Sequence, residues 1–205
     1  MSGRSDVKAV TITADTVALD ADGISAAASV GNNAALTIGG ALASGGAVAL
    51  SHGRIVTILS AGNDAAKSFT VVGTDVDGDS HTESITGANA GTATGTVFFK
   101  TIASITAVGN PAGNVSAGVN TSAADVIFSG RSRLKGIYLT STATAGTVDF
   151  LNTSPSGTSI MGLSSVGDAD ATRDVVIPDE GVVFNDGIYI EYTVSTFLTM
   201  TVFHA

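Results

Sequence analysis

The sequence contains no cysteine and no tryptophan, and only 13% of its 205 residues are charged. Without cysteine, the chain cannot form disulfides, use a thiol nucleophile or hold zinc through thiolates. The charged fraction is about half of what soluble domains usually carry. We interpret this low charged fraction as a sign that other protein chains cover part of the surface.

Long apolar segments are also missing. No apolar run approaches the roughly 18 residues that a membrane-spanning helix needs. The N-terminal stretch MSGRSDVKAV has no apolar core of signal-peptide length. We therefore expect the chain to be made and folded in the cytoplasm.

The charges that are present are mostly acidic. The formal net charge is −9, and the sequence pI is about 4.4. Such a chain is unsuited to non-specific binding of nucleic acid or to docking on an anionic membrane. We expect neither as a partner.

The hydrophobic fraction of 44% consists largely of alanine, and aromatic residues make up only 5%. Small side chains bury little apolar area, and burial stabilises by roughly 25 cal/mol per Å². We expect a thin core, with much of the stability supplied by backbone hydrogen bonds and by neighbouring subunits.

Short apolar and polar alternations predict strands along the whole chain, beginning with AVTITAD at Ala9. The fold class predicted is all-β, with two small antiparallel β-sandwich or barrel domains, almost no helix and an extended N-terminal arm. Ala26–Ala28 could form one helical turn. The predicted division is 1–30 for the arm, 31–120 for the first domain and 121–205 for the second. The boundary rests on the turn-rich segment between Pro111 and Ala124.

The stretch TDVDGDSHTE places Asp75, Asp77 and Asp79 at alternate positions. An EF-hand loop starting at Asp75 would need glycine at its sixth position and glutamate at its twelfth. Those positions hold Ser80 and Thr86. The spacing therefore argues against this type of calcium loop.

A hairpin turn fits the same stretch better. Asp77-Gly78 is a strong two-residue turn signal, because glycine adopts positive φ without strain. Segment 69–72 would enter the turn and segment 82–85 would leave it. We predict that Asp75, Asp77 and Asp79 share a solvated hairpin tip, with adventitious calcium as the alternative.

Candidate catalytic groups are few. The three histidines are interpreted as solvated or interface residues, and no nucleophile elbow is present. Three glutamates could in principle pair with aspartates as in glycosidases, but the absence of tryptophan counts against a sugar cleft. We predict no catalytic residue, no metal site and no cofactor. The residues considered are His52, His81, His204, Glu83, Glu180 and Glu191.

One basic cluster stands out in GRSRLKG, where Arg131, Arg133 and Lys135 recur at every second position. On a strand, all three would lie on one face. The functional interpretation is a stripe that docks to an acidic patch on a partner or a neighbouring subunit. The alternative is an edge strand protected by charge against aggregation.

Several motifs resemble a β-rich segment found in structural proteins of tailed bacteriophages. They are VTILSAGNDA, FTVVGTDVDG, TESITGANAGT and FFKTIASI. The later stretch IPDEGVVFNDGIYI is similar to a short hairpin in a second small β module of such proteins. The resemblance covers roughly residues 34–205, and Lys67-Ser68 departs from the shorter apolar strand entry expected there.

The resemblance implies a non-enzymatic structural protein of the virion, present in symmetric copies. A decoration, or cement, protein on the outer surface of the head is expected, with the major capsid protein and copies of itself as partners, as a homotrimer. The alternatives are a tail, collar or fibre component, and a module that binds host surface glycans. The N-terminal arm would reach over a neighbouring subunit.

Overall fold

The computed structural model describes residues 6–205, which form strands and no helix, so it contains no helix able to cross a membrane. The prediction of an all-β antiparallel fold is confirmed. The strands are β1 (Lys8–Thr13), β2 (Asp20–Ser29), β3 (Ala43–Ser44), β4 (Ala47–Ser60), β5 (Ser68–Thr74), β6 (Ser80–Thr86), β7 (Thr92–Val108), β8 (Asn114–Phe128), β9 (Ser132–Ser141), β10 (Ala145–Asn152), β11 (Thr158–Val166), β12 (Thr172–Val176), β13 (Val182–Phe184), β14 (Ile188–Thr193) and β15 (Phe197–His204).

The chain divides into two compact units. The inserted unit is Val17–Ala123, and the described part of the terminal unit is residues 6–16 and 124–205. The strand β8 begins in the inserted unit and ends in the terminal unit. The division by contacts falls close to the predicted 120/121 boundary, but the three-domain organisation itself stays a prediction.

The segment predicted as an N-terminal arm forms strands within this chain. β1 pairs antiparallel with β15, and β2 pairs antiparallel with β8. The alternation in AVTITAD gives β1 the pattern of a sheet strand, with backbone groups that pair with β15. Ala26–Ala28 belong to β2 rather than to a helical turn. Residues 1–5 lie outside the described residues.

The turn-rich link predicted between Pro111 and Ala124 is largely a strand, because β8 runs through it from Asn114. Gly118 is a site of close backbone approach: a side-chain carbon there would lie 1.8 Å from the Asp20 carbonyl oxygen. Gly118 therefore lets the backbone of β2 approach β8 closely, and it does not end the strand.

The inserted unit packs its sheet strands in the order β8-β4-β7-β5-β6, with β2 on β8 and β3 on β4. Alternate residues of these strands face one core, which explains why its centre is branched and aromatic rather than alanine. The fully buried members include Ile24, Val56, Ile58, Phe69, Val71, Phe99, Ile102 and Ile105.

The terminal unit contains the sheet β1-β15-β9-β12, in which β13 also pairs with β9, and the antiparallel set β11-β10-β14. In β9 the inward positions are first Ser132 and Leu134, then Ile137 and Leu139. The inward positions change from even to odd numbers because β9 has a bulge at Lys135. Phe203 pairs with Gly136, and the next residue, His204, pairs with Leu134.

Candidate functional site

The acidic stretch forms the tip of the β5–β6 hairpin. Thr74 pairs with Ser80, so Asp75–Asp79 make a five-residue connection. Gly78 has a φ of 88°, a conformation that glycine adopts without strain. The connection is longer than the predicted two-residue turn because the strands extend to Thr74 and begin again at Ser80.

The carboxylate of Asp75 organises this tip. One of its oxygens, Oδ1, accepts hydrogen bonds from the backbone N–H groups of Asp77 at 3.0 Å and Asp79 at 2.9 Å. Its Oδ2 lies 3.0 Å from Nε2 of His81. The carboxylate therefore acts as a local turn anchor. Calcium binding here stays untested, and residues 6–205 contain no group of three or more histidine or acidic side chains placed to hold a metal ion.

The three basic residues of the predicted stripe lie along β9 and just before it. Arg131 is exposed and Arg133 and Lys135 are half-buried, whereas Ser132 and Leu134 between them are buried. The period-two spacing thus places the three on one side. The edge-strand interpretation is wrong, because β9 lies between β15 and the strands β12 and β13.

Two of these basic groups bind the loop between β12 and β13. Lys135 Nζ donates to the carbonyl oxygen of Asp179 at 2.7 Å, and Arg133 Nη1 donates to that of Glu180 at 3.4 Å. Part of the predicted docking stripe therefore holds a loop of its own chain. Docking by Arg131 stays a prediction.

A small cavity of about 150 Å³ opens beside Arg131 in the terminal unit. Lys8 of β1 and Asp6, two residues before β1, contribute to its wall. The pairing of β1 with β15 places Lys8 opposite His204. No local sequence pattern predicts that these residues, so distant in the chain, lie together. The lining residues are Asp6, Lys8, Phe128, Arg131, Ser132, His204 and Ala205.

His204 is buried, contrary to the expectation of a solvated or interface histidine, because it occupies an inward position of β15. The centroid of its ring lies 5.1 Å from the centroid of the Phe128 ring. Burial lowers the pKa of His204, and the nearby ammonium of Lys8 lowers that pKa further. The neutral imidazole is therefore the favoured form in the folded protein.

The hydroxyl of Ser132 lies 3.1 Å from Nδ1 of His204 and donates to the Ala205 carbonyl oxygen at 3.1 Å. The hydroxyl has a single proton, and while it donates that proton to Ala205 it does not donate it to Nδ1. A histidine must accept that proton to activate a serine nucleophile. The geometry at Ser132 is that of a structural hydrogen-bond network closing the end of the sheet.

The structure brings one glutamate beside an aspartate. Glu191 on β14 is directly opposite Asp149 on β10. Burial raises the pKa of Glu191, and the negative charge of Asp149 raises that pKa further. Asp149 Oδ1 also accepts a hydrogen bond from the Ser159 hydroxyl at 3.2 Å. Glu83 instead binds the backbone N–H and hydroxyl of Thr96.

Comparisons with known proteins return little. No family model matches the sequence, and no curated protein matches it. Among solved structures, the chain is similar to the major capsid protein P2 from bacteriophage PM2, with a TM-score of 0.24 and 10% sequence identity. The alignment covers 95% of this chain and 96% of that one. A TM-score this low carries no argument about fold or function.

Proposed function

We propose that the protein is a non-enzymatic structural component of a tailed-bacteriophage particle, and specifically a decoration protein on the outer surface of the head. The observation that carries the proposal is the phage-like motifs and where they lie. VTILSAGNDA covers the end of β4 and its following loop, and FTVVGTDVDG covers β5 and the hairpin tip. IPDEGVVFNDGIYI covers β13 and the two loops that flank it. The motifs that resemble phage proteins therefore form strands and the loops next to them.

The chemistry of the polar groups supports the same proposal. Asp75 anchors a turn, and Lys135 holds a loop. The hydroxyl of Ser132 donates to the backbone. Each of these polar groups has a structural hydrogen-bond partner that accounts for it.

The proposed mechanism is mechanical. The protein would bind the major capsid protein and copies of itself, as a homotrimer, and would brace the lattice against the pressure of the packaged DNA. Buried area and backbone pairing between chains would supply the binding energy. The protein would assemble in the host cytoplasm and would need no cofactor, nucleic acid or membrane.

The copy number per particle tests this proposal. Quantitative mass spectrometry of purified particles should give a ratio to the major capsid protein near one, or a simple fraction set by the lattice. A handful of copies per particle would contradict the decoration role and favour a tail, collar or fibre component. Absence from the particle would overturn the structural role altogether.

A further inference from the structure

The outer face of the sheet β1-β15-β9-β12 carries a regular array of side chains. The pairing registers place twelve outward residues in three cross-strand rows, four residues to a row. We call this array the outer face. Its rows are Thr13, Thr199, Thr140 and Thr172; Thr11, Thr201, Tyr138 and Asp174; and Ala9, Phe203, Gly136 and Val176.

The exposed aromatic residues of the chain gather on this face. The sequence has eight phenylalanines and three tyrosines, all within the described residues. Only Tyr138, at 43%, and Phe203, at 37%, are exposed, while the others are buried or half-buried. Val176, in the same row as Phe203, is 78% exposed, the highest value among the exposed large hydrophobic residues. Exposed aromatic and aliphatic side chains that cluster in this way are typical of interaction sites.

A glycine separates these apolar groups. Gly136 lies between Phe203 on β15 and Val176 on β12. Gly136 is itself buried, because a side-chain carbon there would be 3.1 Å from the Val175 carbonyl oxygen and 3.8 Å from Cδ2 of Phe203. Three side chains therefore project from the face around a glycine that its neighbours cover. A two-fold contact brings the same projecting groups of the two copies together.

The charge of the outer face also favours a second copy. The whole chain has eighteen acidic residues and a net charge of −9, so two copies repel wherever their acidic surfaces meet. The twelve positions of the face include no basic residue and a single acidic one, Asp174. An uncharged partner surface suits this face, and every other copy of the chain offers one.

We infer that the outer faces of two copies pack against each other across a two-fold axis. Tyr138, Val176 and Phe203 form the apolar part of the contact, and the threonine row forms its hydroxyl-rich flank. In the middle row, Thr11 and Thr201 are already hydrogen-bonded to each other at 2.9 Å. This contact pairs copies of the free protein, and the homotrimer proposed for the head would need a different surface.

The size of the face sets the strength to expect. Four strands and three rows span about 15 to 20 Å in each direction. Two such faces would bury at most roughly 800 Å², below the usual range for specific contacts. The free protein should therefore dimerise weakly, with a dissociation constant on the order of 10 µM.

Sedimentation velocity of the free full chain over a range of concentrations tests this inference. The wild-type protein should shift from monomer to dimer as its concentration rises. Val176→Asp should weaken the dimer at least tenfold, because it places a carboxylate in the apolar part of the contact in both copies. Since Val176 is 78% exposed, the substitution should leave the fold intact, which circular dichroism checks.

Two further variants sharpen the result. Val166→Asp is the matched control, since Val166 lies on β11, away from the outer face, and is 51% exposed; it should dimerise like the wild type. Asp174→Asn removes the one carboxylate of the face and should leave the dimer as strong or stronger. A wild-type chain that stays monomeric to millimolar concentration, or equal weakening by the two valine variants, would overturn the inference.

The sedimentation experiment tests the two-fold contact independently of the decoration role. The copy number in particles tests the decoration role. A monomeric wild-type chain whose Val176→Asp variant fails to attach to heads would assign the face to the capsid instead. That outcome would refute the two-fold contact and leave the decoration proposal standing. A chain that dimerises but is absent from particles would support the two-fold contact and refute the decoration proposal.

Discussion

In the inserted unit, Arg54 is fully buried, and its guanidinium donates hydrogen bonds to the backbone carbonyl oxygens of Asn120 and, at 3.2 Å, Ser122. In the terminal unit, Lys135 also donates to a carbonyl oxygen but keeps contact with solvent. The same donor chemistry thus supports a core in one unit and a surface loop in the other. From this comparison we expect that burial, rather than partner type, determines how much each basic residue contributes to stability.

The acidic residues differ between the units as well. Asp75 in the inserted unit faces two backbone N–H groups, which stabilise a carboxylate. Glu191 in the terminal unit faces Asp149 across the strand pair, which disfavours its charge. One acid is therefore placed to stabilise its unit at neutral pH, and the other is placed to destabilise it.

The largest expected effect is that of Arg54→Met. The variant leaves the carbonyl oxygens of Asn120 and Ser122 without their donor in a buried site, and an unsatisfied buried group costs about 1–3 kcal/mol. We expect the free energy of unfolding, measured by urea denaturation, to fall by about 2–4 kcal/mol. Arg133→Met, which removes a half-buried donor, is the control and should cost under about 1 kcal/mol. Equal losses in the two variants would contradict the role given to burial.

Asp75→Ala should have the next largest effect. The substitution removes the acceptor for two backbone N–H groups of the hairpin tip, so the free energy of unfolding should fall by about 1 kcal/mol. Hydrogen exchange should become faster at the amides of Asp77 and Asp79. The control is Asp79→Ala, since Asp79 contributes its backbone to the turn. A larger loss for the control would show that the Asp75 carboxylate is not the anchor.

Glu191→Gln should act in the opposite direction. Because the pKa of Glu191 is raised by burial and by Asp149, the stability due to its protonated form is fully present below the ordinary value of 4.5. That stability is lost as the pH rises through the folded-state pKa. The neutral amide should therefore raise the melting temperature by roughly a few degrees at pH 7. The gain should vanish toward pH 4.

The matched control for that experiment is Glu180→Gln, because Glu180 lies in the loop between β12 and β13 and takes part there through its backbone carbonyl. It should leave the melting temperature at pH 7 unchanged. A destabilised Glu191→Gln protein at pH 7 would mean that the carboxylate is favourably bound.

The smallest expected effect concerns the cavity of the terminal unit. The pKa of His204 is lowered mainly by burial and less by Lys8, so Lys8→Gln should raise that pKa while leaving it below 6.5. Nuclear magnetic resonance titration of the imidazole measures this directly. Since the folded-state pKa is depressed, the stability due to His204 is present above 6.5 and is lost as the pH falls through the folded value.

The control for that titration is Lys135→Gln, which removes a charge on the opposite side of β9. It should shift the His204 pKa less than Lys8→Gln does. A pKa that does not move in the Lys8 variant would exclude the ammonium as a cause.

The sequence pattern predicts the strands and the hairpin tip because both depend on neighbouring residues. Alternation identifies β1, and the Asp77-Gly78 pair marks the β5–β6 connection. Glycine is harder to interpret from sequence alone: Gly118 looks like a strand breaker but admits a neighbouring backbone. Whether a glycine ends a strand or lets another approach it depends on tertiary packing.

The cavity and the outer face depend on pairing between distant residues, and no local signal encodes that pairing. The meeting of Lys8 with His204 requires β1 to find β15. The bulge at Lys135 and Gly136 changes which residues of β9 face outward, so simple alternation from Arg131 would have placed Tyr138 on the wrong side. Register shifts of this kind result from competition among whole strands.

The pairing of β1 with β15 also constrains the order in which the chain can fold during synthesis. β1 is made first, and its partner is the last described strand to leave the ribosome. Every residue of the inserted unit has been made by Ala123, so that unit can fold while β1 still waits with an unpaired strand edge. Such an edge is open to wrong pairing until its partner arrives. At roughly 5 to 20 residues per second, the 82 residues from Ala124 to Ala205 keep β1 unpaired for several more seconds after the inserted unit is complete.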